Sequence, residues 1–177
     1  MLKALLEFPE RPETFTLSTS YGDPFPEIRR LALAAGMASG QQGRREALRA
    51  ALRDPEEGIV NAALEELVRE CPSGLDRDLI AAAGDRLRRP AIRQAAIRAL
   101  GTLQLDSARE ALVEMTWEHK FFWINGLRKK SLEMLEALTA LSRYRAREPG
   151  VARILRVAAR SRDPQIRACV RRREASA

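Results

Sequence analysis

Four stretches of this chain open on the same kind of turn and run into the same kind of helix. That recurrence restricts the fold more than any other feature. The stretches read DPFPEIRRLALAAG from Asp23, DPEEGIVNAALEEL from Asp54, RRPAIRQAAIRALG from Arg88 and RDPQIRACVRR from Arg162. In each, a proline opens the segment, an isoleucine begins an apolar face, and small residues follow three or four positions on. The aligned isoleucines, Ile28, Ile59, Ile92 and Ile166, are separated by 31, 33 and 74 positions. A period in this range marks stacked supersecondary units, each burying its face only against its neighbours. Since 74 is twice 37, a fifth copy is expected near residue 129. The nearest candidate is KKSLEMLEALTAL, ending at Leu141, a degenerate repeat without the proline and preceded by an insertion.

The residues have local reasons to sit where they do. Proline is tolerated in a first helical turn, where its missing N–H has no intrahelical role. Aspartate just before it can cap the N-terminus and complement the helix dipole. Ile, Ala-Ala and Ala-Leu at helical spacing form one packing stripe, and the alanines allow neighbouring helices to approach closely. Gly36 and Gly101 stand where a helix would end. Between the repeat helices lie other amphipathic segments: Arg45 to Leu52, Arg77 to Leu87, Ser107 to Met115 and Val151 to Arg160. The unit is therefore an antiparallel helix pair of about 30 to 40 residues. Leu, Ala, Arg and Glu dominate the composition, which favours helix over strand.

The pattern DPxxR followed by AAxxALG resembles HEAT repeats, including the bacterial HEAT-like sequences related to phycobilisome lyase repeats. The resemblance covers roughly residues 23 to 172. It implies an all-α, right-handed α-α superhelix, a HEAT-like solenoid of about four to five helical hairpins. In such a family the second helix of each pair lines the concave, often binding, face. The resemblance also implies a ladder between successive repeats, made here by Arg29, Arg93 and Arg167 with Asp23, Asp54 and Asp163. Two departures, Arg89 in place of the aspartate before Pro90 and Val60 in place of the arginine after Ile59, are expected to break it in the middle. Residues 23–177 form the repeat domain on this reading. Residues 1–22 form a short helix and an N-terminal arm, with Phe15 and Leu17 alternating as in an extended strand. The arm is either an ordered cap on the first repeat or a tail that orders on binding.

Charge is unevenly placed. The formal net charge is +7, yet residues 143 to 173 alone carry +9, with eleven arginines against Glu148 and Asp163. Such a field attracts nucleic acid, anionic lipid or an acidic protein face, unless the arginines are simply solvated. Arg143, Arg145, Arg147, Arg153, Arg156 and Arg160 are the candidate anion- or nucleic-acid-binding residues. Arg153, Arg156 and Arg160 would share one helical face.

The second unusual feature is aromatic. Trp117, Phe121, Phe122 and Trp123 are four of the nine aromatic residues, and Arg128, Lys129 and Lys130 follow them. Their spacing suits a helix face turned inward, filling the irregular repeat. Aromatics beside cations are equally typical of interface anchors, so these seven residues are the candidate partner-binding site.

Catalysis has little material. His119 is the lone histidine, Cys71 and Cys169 form no CxxC pair, and no phosphate-binding or nucleophile-elbow motif occurs. No metal or cofactor is expected. HEAT-like DNA glycosylases and bilin lyases exist, but none of their catalytic residues can be placed on this sequence. No apolar run approaches the length of a membrane span, and the apolar start ending at Pro9 is too short for a signal peptide. The expectation is a non-enzymatic, cytoplasmic scaffold or adaptor that binds a protein. Nucleic-acid binding is the alternative. A partner or a second copy of the chain is expected to cover Ile166, Ala168 and Val170.

Overall fold

A computed structural model describes residues 17–70, 72, 74–103, 105–120, 124–144 and 148–171. The arm as far as residue 16, Cys71, Phe121, Phe122, Trp123, Arg145 and Arg147 lie outside the described residues. The protein is mostly helical, and the chain divides into two compact units, Met1–Leu75 and Asp76–Ala177.

Unit one contains α1 (Leu17–Ser20), α2 (Pro26–Ala38), α3 (Gln41–Leu52) and α4 (Glu57–Arg69). Leu17 is therefore helical, not extended. Pro26 occupies the first turn of α2, as its lack of an N–H favours. Helix α2 packs on α3 and α3 on α4. Their inward stripes supply Leu33, Leu48, Leu52, Ile59, Val60, Leu64 and Leu67 to the core. Val60 is fully buried, so the missing motif arginine there is replaced by core. Gly36 does not end its helix, which runs on to Ala38. It is instead the contact point with α3 and the first turn. A Cβ there would collide with the methyl of Ala47 and lie 2.5 Å from the Tyr21 hydroxyl.

Unit two contains α5 (Asp76–Gly84), α6 (Pro90–Leu100), α7 (Asp106–Thr116), β1 (Trp117–Lys120), β2 (Ile124–Leu127), α8 (Leu132–Leu141), α9 (Pro149–Ala159) and α10 (Pro164–Arg171). The second helices stand in a row: α8 packs against both α6 and α10. Helix α5 packs on α6 and α7, while α9 packs on α10 and β2. Close approach of α6 and α8 depends on Gly101, where a Cβ would lie 2.7 Å from that of Ala140. Helix α5 stops at Gly84, earlier than its apolar pattern suggests, and Leu87 beyond it is almost fully exposed.

The irregular repeat is placed differently from the expectation of equal spacing. The residue at the isoleucine position of α8 is Met134, third in its helix like Ile92 and buried like it. From Ile92 to Met134 is 42 positions and from Met134 to Ile166 is 32. The surplus in the first interval is a β-hairpin, not a helix. Trp117 pairs with Leu127, Glu118 with Gly126, His119 with Asn125 and Lys120 with Ile124. Without a proline, α8 is started by Ser131, whose hydroxyl accepts the Met134 N–H at 3.1 Å. Tyr144, just after α8, donates its hydroxyl to the carbonyls of Leu100 and Leu103 and so closes the end of α6.

Candidate binding surface

The arginines of the repeat motif are structural. Each folds back on the turn before its own helix. Arg29 Nη1 donates to the carbonyls of Asp23 (2.8 Å) and Pro24 (3.2 Å), and Arg93 Nη1 to that of Arg88 (2.6 Å). Arg167 Nη1 donates to the carbonyls of Ser161 (2.7 Å) and Arg162 (2.9 Å). The aspartates shape the same turns from outside the helix. An oxygen of Asp23, Asp54 and Asp163 accepts the N–H two residues on, at 2.9, 2.8 and 2.8 Å.

Rungs then run from one repeat to the next. Arg29 donates to both carboxylate oxygens of Asp54, and Arg93 Nη2 donates to Glu133 at the start of α8. Lys130 Nζ donates to Asp163 at 2.5 Å. The degenerate repeat thus keeps the pattern with other residues: Glu133 serves as acceptor and Lys130 as donor. Lys130 is accordingly engaged in a rung. Burial alone would raise the Glu133 carboxyl. Bonds from its own N–H, from Arg93 and from Ser131 outweigh that and hold it below its ordinary value. The bond from Lys130 does the same for Asp163, against a smaller opposing effect of burial.

Trp117 and Arg153, one residue from each cluster named in the sequence, meet on unit two. The guanidinium of Arg153 on α9 lies 5.7 Å from the centroid of the Trp117 ring on β1, within cation–π range. Arg156 and Arg160 follow on the same exposed face of α9. The two acidic residues of this stretch are committed elsewhere, Glu148 to Arg109 at 2.8 Å and Asp163 to Lys130. Arg153, Arg156 and Arg160 therefore have no carboxylate partner among the described residues. Arg143 is exposed in the turn after α8.

Arg128 and Lys129 line a second feature, a groove of about 580 Å3. Its walls include Arg86, Arg93, Met115, Glu118, Glu133 and Met134. Arg128 Nε is held by the Trp117 carbonyl at 3.3 Å, which ties the groove to the hairpin. No sequence signal marks Arg86 and Arg93 as groove residues. Arg86 lies about 40 positions from Arg128, and no local pattern joins them. Unit one has its own groove of about 660 Å3 between α2 and α4, floored by Leu33, Ala34, Met37 and Ala62. Among the described residues, no group of His, Cys, Asp and Glu is placed to hold a metal ion, and no helix is long and apolar enough to cross a membrane.

No family model matches the chain, and no curated protein matches it in sequence.

Proposed function

We propose that the chain is a non-catalytic scaffold of HEAT-like hairpins, acting in the cytoplasm, that binds an acidic face of a protein partner through α9 and the β-hairpin. The observation that carries this reading is the row of Arg153, Arg156 and Arg160, without a carboxylate partner among the described residues, beside the Trp117 ring. Aromatic and arginine side chains together anchor protein interfaces well, because the ring supplies apolar area and the guanidinium forks onto carboxylates. Arg128 and Lys129 extend the same positive surface toward the groove. The superhelical stacking of the hairpins and the concave placement of the second helices belong to this proposal, on the strength of the repeat pattern and the rungs.

The same arginine row favours one other reading, contact with nucleic-acid phosphates. Affinity capture from native lysate, with and without nuclease treatment and at low and high salt, separates the two. A discrete protein retained by the native chain, and lost with Arg153→Glu/Arg156→Glu/Arg160→Glu, supports the scaffold. Nucleic acid alone, with log affinity falling linearly in log salt, supports the alternative. Retention unchanged in the triple variant overturns both.

A further inference from the structure

The rungs have a direction, and two half-rungs are left over. Each rung runs from a cation of one repeat to a carboxylate of the next: Arg29 to Asp54, Arg93 to Glu133, Lys130 to Asp163. Arg167 repeats the geometry of Arg29 and Arg93. It clamps its own turn through Nη1, which leaves the Nε and Nη2 edge facing away from that turn. In Arg29 that edge forks onto a carboxylate, and in Arg93 its Nη2 does so. In Arg167 it has no acceptor among the described residues. Asp23 repeats the geometry of Asp54 and Asp163. One oxygen holds the turn, and although Arg29 lies close enough to feel its charge, no cation forms an ion pair with the carboxylate among the described residues. Both side chains are half-exposed and therefore reachable.

We infer that Arg167 of one molecule and Asp23 of a second form the missing rung, so that copies of this chain associate head to tail. The occupant of each half-rung is a second copy because the two halves are complementary in charge and already shaped by the same turns that make the internal rungs. Asp23 would accept the fork of Arg167 as Asp54 accepts that of Arg29. A donor on one patch and an acceptor on a different patch make the interface heterologous, which builds an open chain unless the rotation closes a ring. The inference is independent of what α9 binds.

Sedimentation velocity across a concentration series tests it. The native chain should show mass rising with concentration. Asp23→Asn keeps the turn acceptor and removes the charge, and it should weaken association about tenfold. Asp23→Arg alone and Arg167→Asp alone should each stay monomeric, since like charges then meet. Mixed one to one, those two variants should associate again, because each then meets its opposite. Circular dichroism melts establish that the variants remain folded. A native chain of constant mass, association indifferent to Asp23→Asn, or a mixture that stays monomeric while native protein associates would each overturn the inference.

Discussion

Arg29 holds Asp54 through two guanidinium nitrogens, Nε at 2.7 Å and Nη2 at 2.9 Å, while its third nitrogen stays on its own turn. Both side chains are largely shielded, at 10% and 4% exposure. Removing one partner of such a pair leaves the other poorly solvated and unpaired, which costs more than losing an exposed pair. Asp54 also orders the turn before α4 through the Glu56 N–H. Asp54→Ala is therefore expected to be the most destabilising of the rung variants, ahead of Asp54→Asn, which keeps the turn. Asp163→Asn, whose lysine partner is 44% exposed, should cost least. Urea midpoints in that order support the account. Equal midpoints would show that the rungs add nothing beyond helix packing.

Tyr144 makes a second prediction, this one with a pH dependence. Its hydroxyl is buried and donates to the carbonyls of Leu100 and Leu103, and burial pushes its pKa up to about 12, only partly offset by Arg109. The folded value exceeds the ordinary 10.0, so the stabilisation is fully present below pH 10 and lost as pH rises through about 12. Tyr144→Phe should lose about 1–3 kcal/mol at neutral pH, because buried acceptors lose their donor. Burial also raises the other tyrosine, Tyr21, so a spectrophotometric titration should lose half its amplitude in that variant, the half that titrates near pH 12. Retention of the full amplitude near pH 12 would contradict the assignment.

The repeat was readable because its determinants are local. Proline in a first turn and an isoleucine two positions later set α2, α6 and α10 without help from elsewhere in the chain. What escaped was set by partners distant in sequence. Ser131 replaces proline as the start signal of α8, and the hairpin ahead of it shifts Met134 five positions from the place an even period assigns. Gly36 looked like a helix stop because glycine often is one, but here Ala47 and Tyr21 require the missing Cβ. The aromatic insertion read as helical because spacings of one and four fit a helix. Its hairpin is settled by backbone pairing between Trp117 and Leu127, which no helical period encodes. Arg153 and Trp117 could both be named from sequence, but their stacking could not.

Glycine substitutions separate close approach from chain entropy. Gly101 caps α6 with φ −67°, a conformation open to any residue, so only space argues for glycine there. Gly101→Ala would place its methyl 2.7 Å from that of Ala140, with the Ala140 Cα at 3.1 Å. The expected loss is about 1–3 kcal/mol from overpacking between α6 and α8. Gly150, in the first turn of α9, has nothing within 4 Å of an added Cβ. Gly150→Ala should therefore gain up to about 1 kcal/mol from helix propensity. The two changes should move the melting temperature in opposite directions. A shift of the same sign in both would refute the packing argument.

Acid should unfasten the irregular repeat through its carboxylates. Asp163 and Glu133 both titrate below their ordinary values of 3.8 and 4.5. A carboxyl with a depressed folded pKa binds its proton more readily in the unfolded chain. Its stabilisation is thus present above the ordinary value and lost as pH falls through the folded one. Both groups sit at helix starts in unit two, Glu133 in the first turn of α8 and Asp163 just ahead of α10. The urea midpoint should consequently fall steeply below about pH 4, in the range where carboxylates protonate. In Glu133→Gln or Lys130→Met the midpoint should start lower at pH 7 and decline less steeply, since part of the proton-linked stabilisation is already gone. Added salt should weaken the Lys130 contribution more than that of Arg93, because the lysine rung is the more exposed of the two. An acid limb of unchanged slope in both variants would mean that neither rung links folding to protonation.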